Sequence, residues 1–335
     1  MQKQNNFDGL RLIGALMVLV SHQFALSGRE EPHVVGQVSW GALGVLIFFS
    51  ISGYLVGLSW HGDPDVRRFA QRRLLRVWPG LAAVVLITAA AALVATGHLA
   101  RVAYLANLLL VYVDGTFFPT NRYVGMDGSL WTVQLEVLCY VALAGLGVLA
   151  GERLPRLLSA LACLAAPAYL LLMGPALDSG AVHPTFPLLP YFSTFFLVGA
   201  AQARARLNGW TVLALCAAGL IAIATGRNSL GLLLLVPAIT IYIGRQSWPL
   251  LNAGGRFGDL SYGIYLWAWP VQQLGVVWLT NDAPYLLLLA VSLAGVVPLA
   301  WLSWHFVESR ALRLKPTRKP VAPNVFINEE RAQPG

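Results

Sequence analysis

The stretch GLRLIGALMVLVSHQFALSG, residues 9–28, is long and apolar enough to cross a membrane as a helix. It nevertheless carries Arg11 near one end and His22 deep inside. Over the whole chain, hydrophobic residues make up 57% and charged residues 11%, against about 25% charged in an ordinary soluble domain. The mean hydropathy is +0.65. This composition predicts an all-α integral membrane protein.

Similar apolar segments recur along the chain and predict a multi-pass bundle of about ten transmembrane helices. We place them at 9–27, 38–59, 77–97, 129–150, 155–173, 187–205, 211–225, 229–244, 257–280 and 284–306. Segment 101–113 is apolar but short, and we expect a half-helix or a re-entrant piece there. A transmembrane domain over 1–309 is then followed by a basic, proline-containing tail over 310–335, which its composition predicts to be disordered.

The distribution of basic residues predicts the orientation. With the N-terminus inside, all but five of the 23 Lys and Arg residues lie on the cytoplasmic side, as the positive-inside rule requires. The five are Arg11, Arg29, Arg101, Arg122 and Arg227. Both termini are therefore expected in the cytoplasm, and the protein in the cytoplasmic (inner) membrane.

The net charge of +8 could suggest nucleic acid as a partner. No soluble module with interleaved aromatic residues accompanies it, so we expect a lipid bilayer and no nucleic acid. The three cysteines, Cys139, Cys163 and Cys216, all fall in apolar segments. They predict neither a disulfide framework nor a metal site.

The first helix has one ionisable face. Arg11 and His22 are eleven residues apart, so they lie within about 20° of each other and roughly 16 Å apart along the axis. Asp8 falls on the same side, within an arc of about 60°. Ionisable groups inside a membrane usually face the protein interior or a wet cavity, which indicates function. The alternatives are a histidine satisfied by a neighbouring helix and an arginine that extends to the interface.

A second polar face opens the fourth predicted span, in GSLWTVQLEVLCY at 128–140. Ser129, Thr132, Glu136 and Tyr140 are spaced three, four and four apart, which places them on one side of a helix. Counted from the two membrane surfaces, Glu136 and His22 reach similar depths, and we expect a His–Glu pair in the outer half of the membrane. The alternative is a hydrogen-bonded packing stripe between helices.

A basic run, VRRFAQRRLLRVWPG at 66–80, precedes the third predicted span. Arg68, Arg72 and Arg76 recur every four residues and form one ridge, with Arg67 and Arg73 beside it. Membrane topology alone would account for cytoplasmic arginines. Five guanidinium groups at the mouth of a bundle would also bind a multiply phosphorylated ligand, because arginine binds phosphate bidentately.

Taken in order, these motifs resemble the acyltransferase-3 family of membrane O-acyltransferases. The resemblance rests on FDGLRLIGALMVLVSH, GVLIFFSISGYLV, RRLLRVWP, GSLWTVQLEVLCY and SYGIYLWAWPV, and it extends from residue 7 to HFVESR at 305–310. It implies an enzyme that transfers an acyl group, usually acetyl, from cytoplasmic acyl-CoA to a hydroxyl of a cell-surface or exported glycan. By that resemblance, the family's essential histidine is His22 and its paired arginine is Arg11. The family's arginine cluster falls on Arg72, Arg73 and Arg76, and its glutamate on Glu136.

The chain departs from the family pattern at two places. Ala268 stands where relatives have the histidine of an LWHWP motif, so this position does no acid–base chemistry here. Leu46 and Ile47 stand where an acidic residue often precedes the paired phenylalanines of the second span. We also see no hydrolase-like domain of the kind that many relatives carry.

The resulting hypothesis assigns His22, Glu136, Arg11 and Asp8 to catalysis, and Arg68, Arg72, Arg73 and Arg76 to binding the phosphates of acyl-CoA, the co-substrate. Neutral His22 would take the proton of an attacking hydroxyl, or would itself be acylated. Glu136 would orient the imidazole ring. We expect no permanently bound cofactor and no metal, and a carbohydrate or glycolipid acceptor. The alternative function is a proton-coupled transporter in which Arg11, His22 and Glu136 form a relay.

Overall fold

The computed structural model describes residues 5–96, 102–179, 188–205, 207–255, 258–280 and 282–316. Its helices are α1 Phe7–Leu26, α2 Trp40–Gly62, α3 Val66–Thr96, α4 Trp131–Ala150, α5 Leu154–Ser179, α6 Leu188–Ala201, α7 Gly209–Ala224, α8 Asn228–Gly244, α9 Pro249–Asn252, α10 Ser261–Leu279, α11 Tyr285–Ser303 and α12 Ser309–Leu312. Short 3₁₀ segments occupy Val102–Leu109, Gly151–Arg153 and Ala253–Gly255, and a π-helical turn joins α11 to α12 at Trp304–Glu308. The predicted all-α fold is confirmed apart from a two-stranded antiparallel hairpin, β1 His33–Val35 and β2 Val38–Ser39.

Each of the ten predicted spans coincides with a helix. The ends agree within four residues except at the start of α3, eleven residues earlier than predicted, and at the end of α5, six residues later. Among the described residues, five helical stretches are long and apolar enough to cross a membrane: Phe7–Leu26, Trp40–Gly62, Val66–Val94, Trp131–Leu172 and Tyr285–Leu312. Asn228–Gly244 and Pro249–Gly255 meet the same criterion together across an 83° bend. These helices make the chain a membrane protein. The count of ten spans and the cytoplasmic side of both termini stay predictions.

We call the end of the bundle where α1 begins the proximal end, and the end where α1 finishes the distal end. Helix α10 runs parallel to α1, because Asp259 before α10 lies beside Arg11 and Trp269 lies beside His22. Helix α4 runs the opposite way, since Gly128 abuts Trp269 and Thr132 contacts Tyr265, one turn earlier in α10.

The structure also describes two regions that lie outside the predicted spans. Val102–Leu109 packs along α3, where the Trp78 indole donates to the Leu108 carbonyl (3.0 Å). The predicted tail starts inside α12, so its first residues are helical, and residues 317–335 lie outside the described residues.

Several close helix–helix contacts occur at glycines, which have no Cβ atom to keep the two backbones apart. Gly44 of α2 lies against the backbone of Gly14 in α1, and Gly53 of α2 lies against the carbonyl of Phe196 in α6. Gly199 of α6 faces the Ser50 carbonyl in the same way. Small residues let helix backbones approach closely where no hydrophobic force drives them together in lipid. Helix α2 is thereby fixed between α1 and α6.

Gly53→Ala tests this packing, because its new methyl group would overlap the Phe196 carbonyl. We expect a loss of about 1–3 kcal/mol, measured as a lower melting temperature in detergent. Gly145→Ala in α4 is the matched control, since no heavy atom lies within 4 Å of its Cβ position. Equal melting temperatures for the two variants would contradict the packing described here.

Candidate active site

A cavity of about 380 Å³ lies among α1, α2, α3, α4 and α10. On α2 its lining extends from Ser59, near the proximal end, to Val45, which is roughly 21 Å at 1.5 Å per residue. Its proximal part is cationic, with Arg11, Arg73, Arg76 and Lys315. The rest of its lining combines apolar side chains, among them Phe48, Phe49, Leu55 and Val133, with the polar groups of Ser52, Glu136 and Tyr140. Such a cavity suits an elongated ligand that is anionic at one end.

The polar face predicted on α4 points into this cavity and towards α10. The Glu136 carboxylate accepts a hydrogen bond from Ser52 (2.6 Å), and the Ser52 and Tyr140 hydroxyls lie 3.1 Å apart. Thr132 and Tyr265 share a 2.5 Å hydrogen bond. Thr132, Glu136 and Tyr140 therefore share one face of α4, as their spacing predicted, with partners on α2 and α10. Ser129, the fourth predicted member, precedes α4 and donates to Asp127 (2.5 Å) instead.

His22 lies beyond the distal end of the cavity. Its ring meets the Trp269 ring edge-on at 4.9 Å, and its Nδ1 atom is buried without a hydrogen-bond partner among the described residues. Tyr265 lines the cavity and lies one turn before Trp269 in α10, which leaves about 6 Å of axial distance between the cavity and His22.

The described residues do not form the expected His22–Glu136 pair. Thr132 of α4 lies level with Tyr265, and Glu136 is one further turn towards the proximal end, so it lies roughly two turns from the level of His22. The depth estimate was wrong because α4 begins at about the level of His22. Gly128, three residues before α4, already abuts Trp269, the ring that contacts His22.

Arg11 contacts carboxylates at the proximal end. Its guanidinium lies 3.7 Å from Asp8 and 3.7 Å from Asp259, while Arg76 contacts Asp259 at 2.5 Å. Asp259 therefore neutralises two guanidinium groups at once. No pattern in the sequence pointed to Asp259. Its only local signal is an acidic residue directly before an apolar helix.

The basic ridge is divided between two roles. Arg68 and Arg72 both bind Asp63, at 2.5 and 2.6 Å, and the hydrogen bond from Arg68, followed by that from Arg72, lowers the pKa of Asp63. Arg73 instead faces the cavity, with its guanidinium 5.7 Å from the centre of the Tyr140 ring. Among the described residues, no carboxylate lies within ion-pair distance of Arg73.

Arg11, His22 and Glu136 form no direct contacts with one another among the described residues. The relay predicted as an alternative function therefore lacks its connecting hydrogen bonds there. No group of three His, Cys, Asp or Glu side chains in the described part of the chain is placed to hold a metal ion.

The segment before α4 closes the distal side near His22. Asn121 donates to Gln273 of α10 (2.8 Å), and Gln273 donates to the carbonyls of Tyr123 and Gly125. Asp127 is completely buried there; it accepts hydrogen bonds from Ser129, while its Oδ2 atom has no partner among the described residues. Burial, with a smaller contribution from Asp114, raises the pKa of Asp127 to about 7.

A family model described as Acyltransferase domain matches residues 4–305, so the chain belongs to the acyltransferase-3 family that its motifs resemble. An O-acetyl transferase of Shigella phage Sf6 is 33% identical over 93% of this chain and 97% of its own length. Nodulation protein 10 of Rhizobium leguminosarum bv. viciae is 27% identical over 93% and 94%, respectively.

Peptidoglycan O-acetyltransferase OatA of Listeria monocytogenes is 23% identical over 96% of this chain, which covers 56% of that relative. No solved structure gives a significant match to this chain. The family and these relatives identify an O-acetyltransferase, and the apolar helices place it in a membrane.

The buried Asp127 carboxyl gives a pH-dependent stability prediction. Its pKa is raised above the unfolded value of 3.8, so its ionisation destabilises the fold increasingly as pH rises from about 4 to about 7. Asp127→Asn does not ionise and can still accept the Ser129 bonds. We therefore expect the variant to melt at a higher temperature than the wild type at pH 8, with a free energy of unfolding larger by up to roughly 4 kcal/mol. At pH 5 the difference should be smaller.

Asp282→Asn, at an exposed carboxylate, controls for the loss of one charge. A difference between Asp127→Asn and wild type that is the same at pH 5 and pH 8 would show that Asp127 does not titrate in this interval.

Proposed function

We propose that the protein transfers an acetyl group from acetyl-CoA to a hydroxyl group of a cell-surface or exported glycan. The observation that carries this proposal is the shape and charge of the cavity. It begins with Arg11, Arg73, Arg76 and Lys315 at the proximal end and reaches to within about one helical turn of His22.

The charges at the proximal end support an orientation with that end in the cytoplasm. The start of α3, the turn after α4 and the segment after α11 all bring arginines there, as the positive-inside rule favours. CoA thioesters are made in the cytoplasm, so a donor would enter at the cationic end. The distal end, with His22 and the segment 114–128, would then face the acceptor.

Two parts of the cavity would accommodate two parts of the donor, its phosphates and its pantetheine arm. The phosphates of acetyl-CoA would bind the guanidinium groups of Arg73 and Arg76. The pantetheine arm would lie along Leu55, Phe48 and Phe49. Its amide groups could bond with Ser52, Glu136 and Tyr140, whose polar atoms line this part of the cavity.

The chemical step would take place next to His22. Neutral imidazole accepts the proton of the acceptor hydroxyl as that oxygen attacks the thioester carbonyl. The carbon–sulfur bond breaks, and the departing sulfur takes the proton back from the imidazolium, which yields the ester and free CoA. In the other route, the imidazole nitrogen attacks the thioester carbonyl and releases CoA as its thiolate. The acceptor hydroxyl then attacks the acyl-imidazole, which releases the ester and neutral imidazole, and the hydroxyl proton passes to the thiolate sulfur. A movement of Tyr265 and Phe48, whose rings meet at 5.7 Å, would connect the cavity with His22.

Deletion of the gene in its host, followed by complementation, tests the function. We expect an alkali-labile acetyl ester on cell-envelope glycans to disappear on deletion and return with wild type. It should fail to return with His22→Ala at equal membrane levels. His33→Ala, at an exposed histidine of β1, should restore it fully. Complete restoration by His22→Ala would remove His22 from the mechanism, and an unchanged ester pattern on deletion would argue against a glycan acceptor.

The donor path is tested separately by narrowing the cavity. Leu55→Trp places a larger side chain at its middle, and we expect at least a tenfold lower kcat/KM for acetyl-CoA in proteoliposomes. Leu138→Trp, on a face of α4 that does not line this cavity and is 54% exposed, is the matched control. If both variants keep wild-type kinetics, the donor does not occupy this cavity.

A further inference from the structure

We propose that Lys315 is a ligand for the phosphate groups of the donor, so that the segment after the last helix forms part of the donor site. This inference rests on the proposed function and adds a residue to it. Lys315 lies ten residues beyond the stretch that the family model matches, which ends at 305. It also falls in the tail that the sequence predicted to be disordered.

The position of Lys315 is set by the turn that follows α12. Its backbone N–H donates to the Leu312 carbonyl (3.3 Å), so the chain turns directly after α12. The side chain lines the same cavity as Arg11, Arg73 and Arg76. Helix α12 and the π-helical turn before it pack against α3, the helix that carries Arg73 and Arg76.

The charges around Lys315 favour an anion between them. The guanidinium groups of Arg76, Arg73, Arg11 and Arg72 all act on its ammonium group, and no ion pair between Lys315 and a carboxylate occurs among the described residues. Burial, and then the repulsion of these four guanidinium groups, lowers the pKa of Lys315 to about 8. Although the long, flexible side chain of a lysine can reach water, that of Lys315 lines the cavity instead.

The other charges nearby do not compensate Lys315. Asp259 binds Arg76 and Arg11, Asp63 binds Arg72, and Glu136 is hydrogen-bonded to Ser52 deeper in the cavity. The buried Glu308 accepts a hydrogen bond from Ser303 (2.8 Å) and forms no ion pair with Lys315. Arg73 and Lys315 therefore remain as two cations at one cavity mouth without a carboxylate partner in the described chain. A group with several negative charges, such as a pyrophosphate, would bridge them.

Equilibrium binding to the purified full chain, in nanodiscs of zwitterionic lipid, tests this assignment. The probes are CoA, uncharged pantetheine and inorganic pyrophosphate, measured by calorimetry. We expect Lys315→Ala to raise the Kd for CoA about tenfold, as for the loss of one charge-assisted hydrogen bond. Lys315→Arg should restore most of the affinity, and the Kd for pantetheine should not change.

Arg313→Ala is the matched control, because Arg313 is a neighbouring, exposed cation that does not line the cavity. Its Kd for CoA should stay within twofold of wild type. Equal Kd values for Lys315→Ala and Arg313→Ala would overturn the assignment of Lys315 and leave the proposed donor intact. A parallel loss of pantetheine affinity would also overturn it, since it would indicate a structural role.

The proposed function can fail in a different way. If wild type binds pyrophosphate through Lys315 but does not bind CoA, Lys315 is an anion ligand and the donor has been wrongly identified. That outcome overturns the assignment to a CoA site. Binding of both CoA and pyrophosphate, each weakened by Lys315→Ala and not by Arg313→Ala, supports it.

Discussion

The carboxylate of Asp259 lies between the guanidinium groups of Arg11 and Arg76, and the relative positions of α1, α3 and α10 depend on it. A buried guanidinium without its counter-charge would cost several kcal/mol, so the three helices must present these groups to one another. Their meeting point is also the proximal wall of the cavity. The same ion cluster therefore stabilises the bundle and fixes the entrance through which we propose that the donor enters.

Asp259 also separates the roles of the two ionisable groups on α1. Arg11 and His22 lie about 16 Å apart along α1. Since Asp259 holds Arg11 at the proximal end, the two side chains do not act on the same atom. In the proposed function, Arg11 belongs to the donor's charged end and His22 to the reacting thioester. A helix face with an arginine and a histidine three turns apart then marks the two ends of one path across half of the membrane.

The sequence predicted the local features of this site and missed the distant ones. Helical spacing placed Ser129, Thr132, Glu136 and Tyr140 on one face, and the structure confirms it for all but Ser129, which precedes α4. Asp259 and Arg76, by contrast, are 183 residues apart, and no periodicity links such positions. The predicted His22–Glu136 pair does not form for a related reason: α4 begins at about the level of His22, so Glu136 lies further towards the proximal end. Axial depth also carries no information about which neighbour a side chain faces.

Ala268, which stands where the family motif has a histidine, lies on the helix that packs against His22. Ala268 is buried between Trp267 and Trp269, and Trp269 itself contacts His22. A second imidazole is therefore missing from the helix that packs against His22, and Nδ1 of His22 has no hydrogen-bond partner among the described residues that would fix its tautomer. In the proposed mechanism the incoming hydroxyl would therefore approach Nε2, because Nδ1 is buried. On this view, the orientation of the imidazole is set by packing against Trp269 rather than by a carboxylate. Replacing that indole with a smaller side chain should then weaken catalysis more than it weakens donor binding.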